Sequence, residues 1–182
     1  MKLLKFTLLT MLCLFVAACS DDDKKEVTLV DAQNAYNDAR GTYKGYVLDG
    51  NVPTPVLITL GDDFKIRDLP VTPLLERFLS GAELDKAVAS VKERVFQAPT
   101  ASMAVTGDQV YVVMEPTDWL FTATVGDIKY DVSALMSTAV CYSHNYDKLS
   151  VNIVVDELFC NGMKADLSSN KITWLIDEAT RQ

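Results

Sequence analysis

Apolar and polar positions alternate through much of the chain. In Leu149–Val155 the residues Leu149, Val151, Ile153 and Val155 share one face while Ser150 and Asn152 point the other way, the period-two signature of a half-buried strand. Extended runs are also predicted at Thr42–Leu48 and Thr54–Leu60 around the turn Asp49-Gly50-Asn51, at Phe64–Asp68 after Gly61-Asp62-Asp63, and at Ile172–Ile176. Between Thr100 and Ser133 the turns Thr106-Gly107-Asp108 and Val125-Gly126-Asp127 are bracketed by β-branched and aromatic residues, which predicts neighbouring hairpins. Cys160-Asn161-Gly162 supplies an Asn-Gly hairpin turn. Ser133–Ser143 reads two ways: Leu135, Met136, Ala139 and Val140 fit a helix, and the same residues suit a bulged strand.

Helical spacing interrupts the strands. A short helix is predicted within Leu29–Arg40, with Val30, Ala32, Ala35, Tyr36 and Ala39 as its apolar stripe and Gly41 as its stop. Thr72-Pro73 reads as an N-cap followed by proline at the first helical position. Ser80-Gly81-Ala82-Glu83 matches a capping box, after which Leu84, Val88, Val91 and Val95 recur at helical spacing. About seven to nine short strands with these additions predict a mainly β, α+β chain, either an antiparallel sandwich or an open, barrel-like sheet. The short N-terminal helix and one helix near 82–95 are its helical parts. Tyr43, Tyr111, Trp119, Phe121 and Trp174 are the expected core aromatics.

The first residues break this pattern. Lys2 and Lys5 precede a 13-residue uncharged run, Phe6 to Ala18, and the small residues Ala17 and Ala18 stand before Cys19. Charge, length and small-residue exit together predict an export signal at 1–18, and the apolar run is too short to span a bilayer. Residues 19–28 read as a tether, because Ser20–Glu26 offers no apolar side chain to bury, and 29–182 as one β-rich domain.

Removal of 1–18 leaves 15 basic against 25 acidic side chains, a formal charge of −10. That balance excludes nucleic acid as a partner, which calls for clustered Lys and Arg. One histidine leaves little scope for a multi-histidine metal site. No cofactor motif is found, and neither a G-x-S-x-G elbow nor an H-E-x-x-H helix is present. Cys141 and Cys160 remain in the domain, and an exported chain tolerates a disulfide between them as readily as two buried thiols. Cys141, His144 and Asp147 could be drawn as a nucleophilic set, but they sit beside a predicted turn, and a structural cysteine with a turn histidine is the preferred reading. Asp62/Asp63 reads as turn chemistry, and Asp156/Glu157 cannot face each other across a cleft because neighbours on a strand point to opposite faces.

Val16-Ala17-Ala18-Cys19 resembles the bacterial lipobox. The resemblance implies that the Cys19 thiol receives a diacylglycerol and that cleavage makes Cys19 the new N-terminus. With two or three acyl chains the anchor is stable, since each buried methylene adds about 0.8 kcal/mol. Ser20-Asp21-Asp22-Asp23 resembles the acidic export tag of Bacteroidetes lipoproteins, which implies an outer-membrane, cell-surface location, with a periplasm-facing anchor as the alternative. The organisation of the whole chain, with Gly41-Thr42-Tyr43-Lys44-Gly45 opening the first strand and "NGMKADLSSNKITWLIDEA" near its end, resembles an uncharacterised family of small Bacteroidetes lipoproteins. Gly41-Thr42-Tyr43 also resembles the glycine-x-tryptophan opening of lipocalins, with tyrosine in place of tryptophan.

The expectation is a lipid-anchored envelope protein whose β-rich domain binds a glycan, an apolar small molecule or an envelope protein without transforming it. The alternatives are a glycan-directed hydrolase with carboxylates from separate strands and an accessory subunit of an envelope complex. Convergent carboxylates in a pocket favour the hydrolase, a wide apolar cavity the small-molecule binder, and an exposed apolar surface the accessory role.

Overall fold

The computed structural model describes residues 29–182. An N-terminal helix α1 (Leu29–Ala39) precedes strands β1 (Gly41–Asp49), β2 (Val52–Leu60) and β3 (Asp63–Arg67). Two helices follow, α2 (Thr72–Leu75) and α3 (Gly81–Ser90). The remaining strands are β4 (Val95–Thr106), β5 (Gln109–Met114), β6 (Thr117–Val125), β7 (Ile128–Ser143), β8 (Lys148–Cys160), β9 (Met163–Lys164) and β10 (Thr173–Arg181).

Every strand pairing is antiparallel, and the order β7-β5-β4-β3-β2-β1-β10-β8 closes on itself because β8 also pairs β7. The sheet is therefore a closed eight-stranded up-and-down barrel; of the two predicted arrangements the barrel-like sheet is the nearer, and it closes where an open sheet was expected. Closure rests on the β7–β8 ladder, Val132↔Cys160 through Ser143↔Lys148, and on the short β1–β10 seam at Tyr43↔Arg181 and Lys44↔Thr180. A barrel of this strand number has a lumen just wide enough for side chains to fill. Rings meet across it: Tyr43 and Tyr142 have centroids 6.1 Å apart, and Trp119 lies 6.5 Å from both Phe96 and Trp174. Thr138 is the one polar side chain buried in this core among the described residues.

The ambiguous Ser133–Ser143 segment is strand. It forms the C-terminal part of β7, whose inward residues Val132, Ala134, Met136, Val140 and Tyr142 are buried at period two. Pairing resolves the ambiguity, since β7 is held by β8 on one side and by β6 and then β5 on the other. Asn161 and Gly162 both adopt positive φ, as the Asn-Gly turn demands. The helix predicted near 82–95 ends at Ser90, and Val95 already opens β4. Arg94 secures its end by donating to the Val88 and Val91 carbonyls at 3.0 and 3.3 Å. Ser80 occupies the N-cap without a side-chain bond, so the predicted capping box is not made. At the short helix Val71 is the N-cap, and the Thr72 hydroxyl instead donates to Asp49 at 3.0 Å. Of the expected core aromatics Tyr43, Trp119 and Trp174 are buried and Phe121 is half-buried. Tyr111 lies on the outer wall, where its hydroxyl donates to Gln109.

The alternating strand directions give the barrel two ends. The lower end carries the β2–β3, β4–β5 and β7–β8 turns, helix α1 and the last residues of β10. The upper end carries the β1–β2 turn, α2, α3, the β6–β7 turn and the 161–172 segment.

Candidate functional site

Cys19 and Ser20, Asp21, Asp22 and Asp23, the lipidation and export residues of the sequence reading, lie outside the described residues, as does the 1–18 signal segment. Cys141 and Cys160 are both free thiols. Register explains why: Cys141 faces Ser150 while Cys160 faces Val132, so nine positions of β7 separate the two sites. At 3.2–3.4 Å per residue that is about 30 Å, far beyond the reach of a disulfide. Burial pushes both thiols above their ordinary range. Of the two alternatives open in the sequence, a disulfide or two free thiols, the structure has the free thiols.

Cys141, His144 and Asp147 do not form a nucleophilic set. The Asp147 carboxylate accepts from Arg181 Nε at 2.8 Å and from the Tyr142 hydroxyl at 2.8 Å, and His144 packs its ring edge-on to Tyr142. Asp147 belongs to a latch. Arg181 also donates to the Arg40 carbonyl at 2.8 Å and the Asp38 carbonyl at 2.7 Å, the open C-terminal end of α1. Its guanidinium stacks on the rings of Tyr43 and Tyr142, 5.1 and 5.5 Å from their centroids. The hydrogen bonds from Arg181 and then Tyr142 hold the Asp147 carboxyl below its ordinary value. Burial opposes the charge on Arg181, but Asp147 and Tyr142 outweigh it and the net direction is upward. Arg40 ties the same helix end to Asp62 at 2.6 Å, and the Tyr36 hydroxyl donates to the Gly61 carbonyl. The lower end is thus occupied by its own polar groups.

The upper end is different. Between the end of β8 and the 165–171 segment lies a cleft of about 550 Å³ that includes Asp156, Lys164, Asp166, Ser168 and Lys171. Asp156 reaches it because the β7–β8 ladder slips between Leu135↔Glu157 and Met136↔Val155, leaving Asp156 as the extra residue of a bulge. Its carboxylate accepts from the Ser137 hydroxyl. Glu157 turns instead to Lys164 at 2.6 Å, and Asp166 is held low by the Ser168 hydroxyl and amide. Each carboxylate is thus committed to its own neighbour, and no group of three His, Cys, Asp or Glu side chains suited to a metal occurs among the described residues. A second cleft, of about 310 Å³, separates Val91–Val95 from Trp119–Thr122.

Among the described residues, seven of the eight large apolar side chains that stand exposed belong to this end: Tyr46, Leu48, Val52, Leu120, Ile128, Met163 and Leu175. Tyr146, in the β7–β8 turn, is the exception. Tyr46 faces Pro55 and Leu48 faces Pro53 on the outer side of one hairpin. The charge is polarised in the same sense. Segments 49–53, 68–94, 115–131 and 156–175 hold thirteen carboxylates against seven cations, which is six of the eight excess negative charges in residues 29–182. Neither the exposed patch nor the latch is signalled locally: the first needs strand direction, the second the meeting of α1 with the end of β10. The chain matches no known family profile, no curated protein and no solved structure.

Proposed function

We propose that this protein is a lipid-anchored accessory component of a bacterial envelope complex, whose domain binds a protein partner at its upper end and performs no chemistry there. The observation that carries the reading is the gathering of exposed apolar side chains at the end opposite α1. The tether enters through α1, so an anchor on Cys19 holds the lower end toward the membrane and turns Tyr46, Leu48, Val52 and Leu175 away from it. Anchoring on an outer membrane with the domain at the cell surface follows from the acidic tag. The excess negative charge of the upper end suits a partner that surrounds its apolar contact with Lys and Arg. A filled lumen supports a protein partner over an apolar small molecule, and the separately paired carboxylates support binding over glycan hydrolysis.

The reading is tested on native gels of detergent-solubilised membranes. The full chain should migrate in a species well above its own 20.1 kDa, and Leu48→Lys combined with Leu175→Lys should release it as a monomer. A parent that runs as a monomer overturns the proposal. Labelled palmitate should enter the parent and not Cys19→Ala; label retained by the variant excludes the anchor.

A further inference from the structure

The upper wall contains a seam between two strands. β6 is paired with β7 along its whole length, Thr117↔Met136 through Val125↔Ile128, and with no strand on its other side. The Thr124 amide points to that other side, where it donates to the Ser90 hydroxyl of α3 at 2.7 Å. Alternate residues of a strand turn their main-chain groups to the same edge. Asp118, Leu120 and Thr122 therefore present their N–H and C=O groups to the seam, and none of the three amides donates to a turn, loop or cap carbonyl among the described residues. Leu120 is 69% exposed, and this edge carries neither proline nor lysine between Thr117 and Val125. Unpaired main-chain groups in a row are a template for another strand.

The far side of the seam is the Val91–Val95 linker, fixed by Arg94 on the α3 carbonyls and by the Asp68 amide on the Arg94 carbonyl at 2.8 Å. Its narrow end is closed where the Glu115 amide meets the Pro99 carbonyl at 2.9 Å. The space between is the cleft of about 310 Å³, walled by Val91, Val95 and Phe121, with Lys92 and Glu93 on its rim.

We propose that this seam takes one extended peptide segment of the partner, added as a strand to the free edge of β6 with an apolar side chain seated between Val95 and Phe121. The seam is pinned at both ends, by Thr124 on Ser90 and by Glu115 on Pro99, so the edge of a second barrel, already paired to its own sheet, does not fit. Main-chain pairing supplies the affinity and the cleft selects the side chain. The negative excess of the upper end favours basic residues flanking that segment.

The proposal rests on the partner-binding reading, and the test separates the two. Full-length protein carrying a photo-crosslinking residue at Thr122 is expressed in its own cells, with Leu120 left, changed to alanine or changed to proline. Proline removes the edge amide while leaving the β7 ladder intact. Leu120→Pro should lower the adduct by at least about tenfold while Leu120→Ala stays within about twofold, because the main chain and not the leucine makes the contact. Thr122→Pro, with the crosslinker moved to Leu120, repeats the test, and circular dichroism confirms that both proline variants fold. A Leu120→Pro adduct equal to the parent's overturns strand addition, and so does an adduct absent at Thr122 from a chain that still migrates in a complex. Absence of the complex itself overturns the reading on which the proposal stands.

Discussion

The two ends of the barrel are built from the same strands and treat their polar groups in opposite ways. At the lower end the polar groups of the latch are closed internally: the α1 carbonyls by Arg181, the Arg181 charge by Asp147, the Tyr142 hydroxyl by Asp147. At the upper end main-chain groups on β6 and large side chains on β1, β6 and β10 stay uncovered. The upper end also contains its own contrast. β2 loses its β3 neighbour above Leu57↔Arg67, so Val52–Val56 is an open edge as well, yet Pro53 and Pro55 deny it two donors. One open edge is guarded against strand addition and the other is not. The lower end closes on itself, and the unguarded part of the upper end is where binding is proposed.

Substitutions should separate these roles, with stability effects falling from the lower end to the upper. Arg181→Ala removes hydrogen bonds to four acceptors and two ring stackings, and should cost about 2–4 kcal/mol, a melting-temperature loss of roughly 10 °C. An unchanged melting curve would show that the latch is decoration. In the wall between the ends, Gly45→Ala places a Cβ 2.5 Å from Ile176 Cγ2 and 3.0 Å from Ala179 Cβ, and should cost about 1–3 kcal/mol by urea titration.

Acid should weaken the latch at the lower end. The Asp147 carboxyl is depressed in the fold, so its contribution is present above the unfolded value near 3.8 and is lost as pH falls through the folded value. Its effect is small because the side chain is 54% exposed and screened by solvent. Urea midpoints measured from pH 5 downward should fall less in Arg181→Ala than in the parent; parallel curves would contradict the assignment. Leu48→Lys lies at the bottom of the series and should shift stability by no more than about 0.5 kcal/mol, since it leaves an exposed site exposed, while combined with Leu175→Lys it should still release the partner.

Much of the barrel was legible because its signals are local. Leu149–Val155 and the Asn161-Gly162 turn carry their own periodicity and backbone demands, and both lie where the sequence puts them. Closure was not legible, because β1–β10 and β7–β8 pairing joins segments with no shared local pattern. Arg181 carries no local signal of its role, and only the arrival of α1 beside β10 makes it a latch. Asp156 and Glu178 mark bulges, Glu178 at a positive φ, and nothing in their neighbours announces the extra residue. The seam at β6 was hidden for a related reason. Thr117–Val125 reads as an ordinary hairpin strand, and its free edge follows from β4 turning to β3 instead.

The division between a sealed end and a binding end is tested most directly by one crosslinking scan in intact cells. A photo-crosslinking residue is placed in turn at Leu48, Val52, Thr122 and Leu175 of the upper end and at Tyr146 of the lower end, where exposure is greatest at 74%. The upper positions should all yield one adduct of the same mass and Tyr146 none. An adduct from Tyr146 with none from the upper positions would place the partner on the latch end and contradict the account.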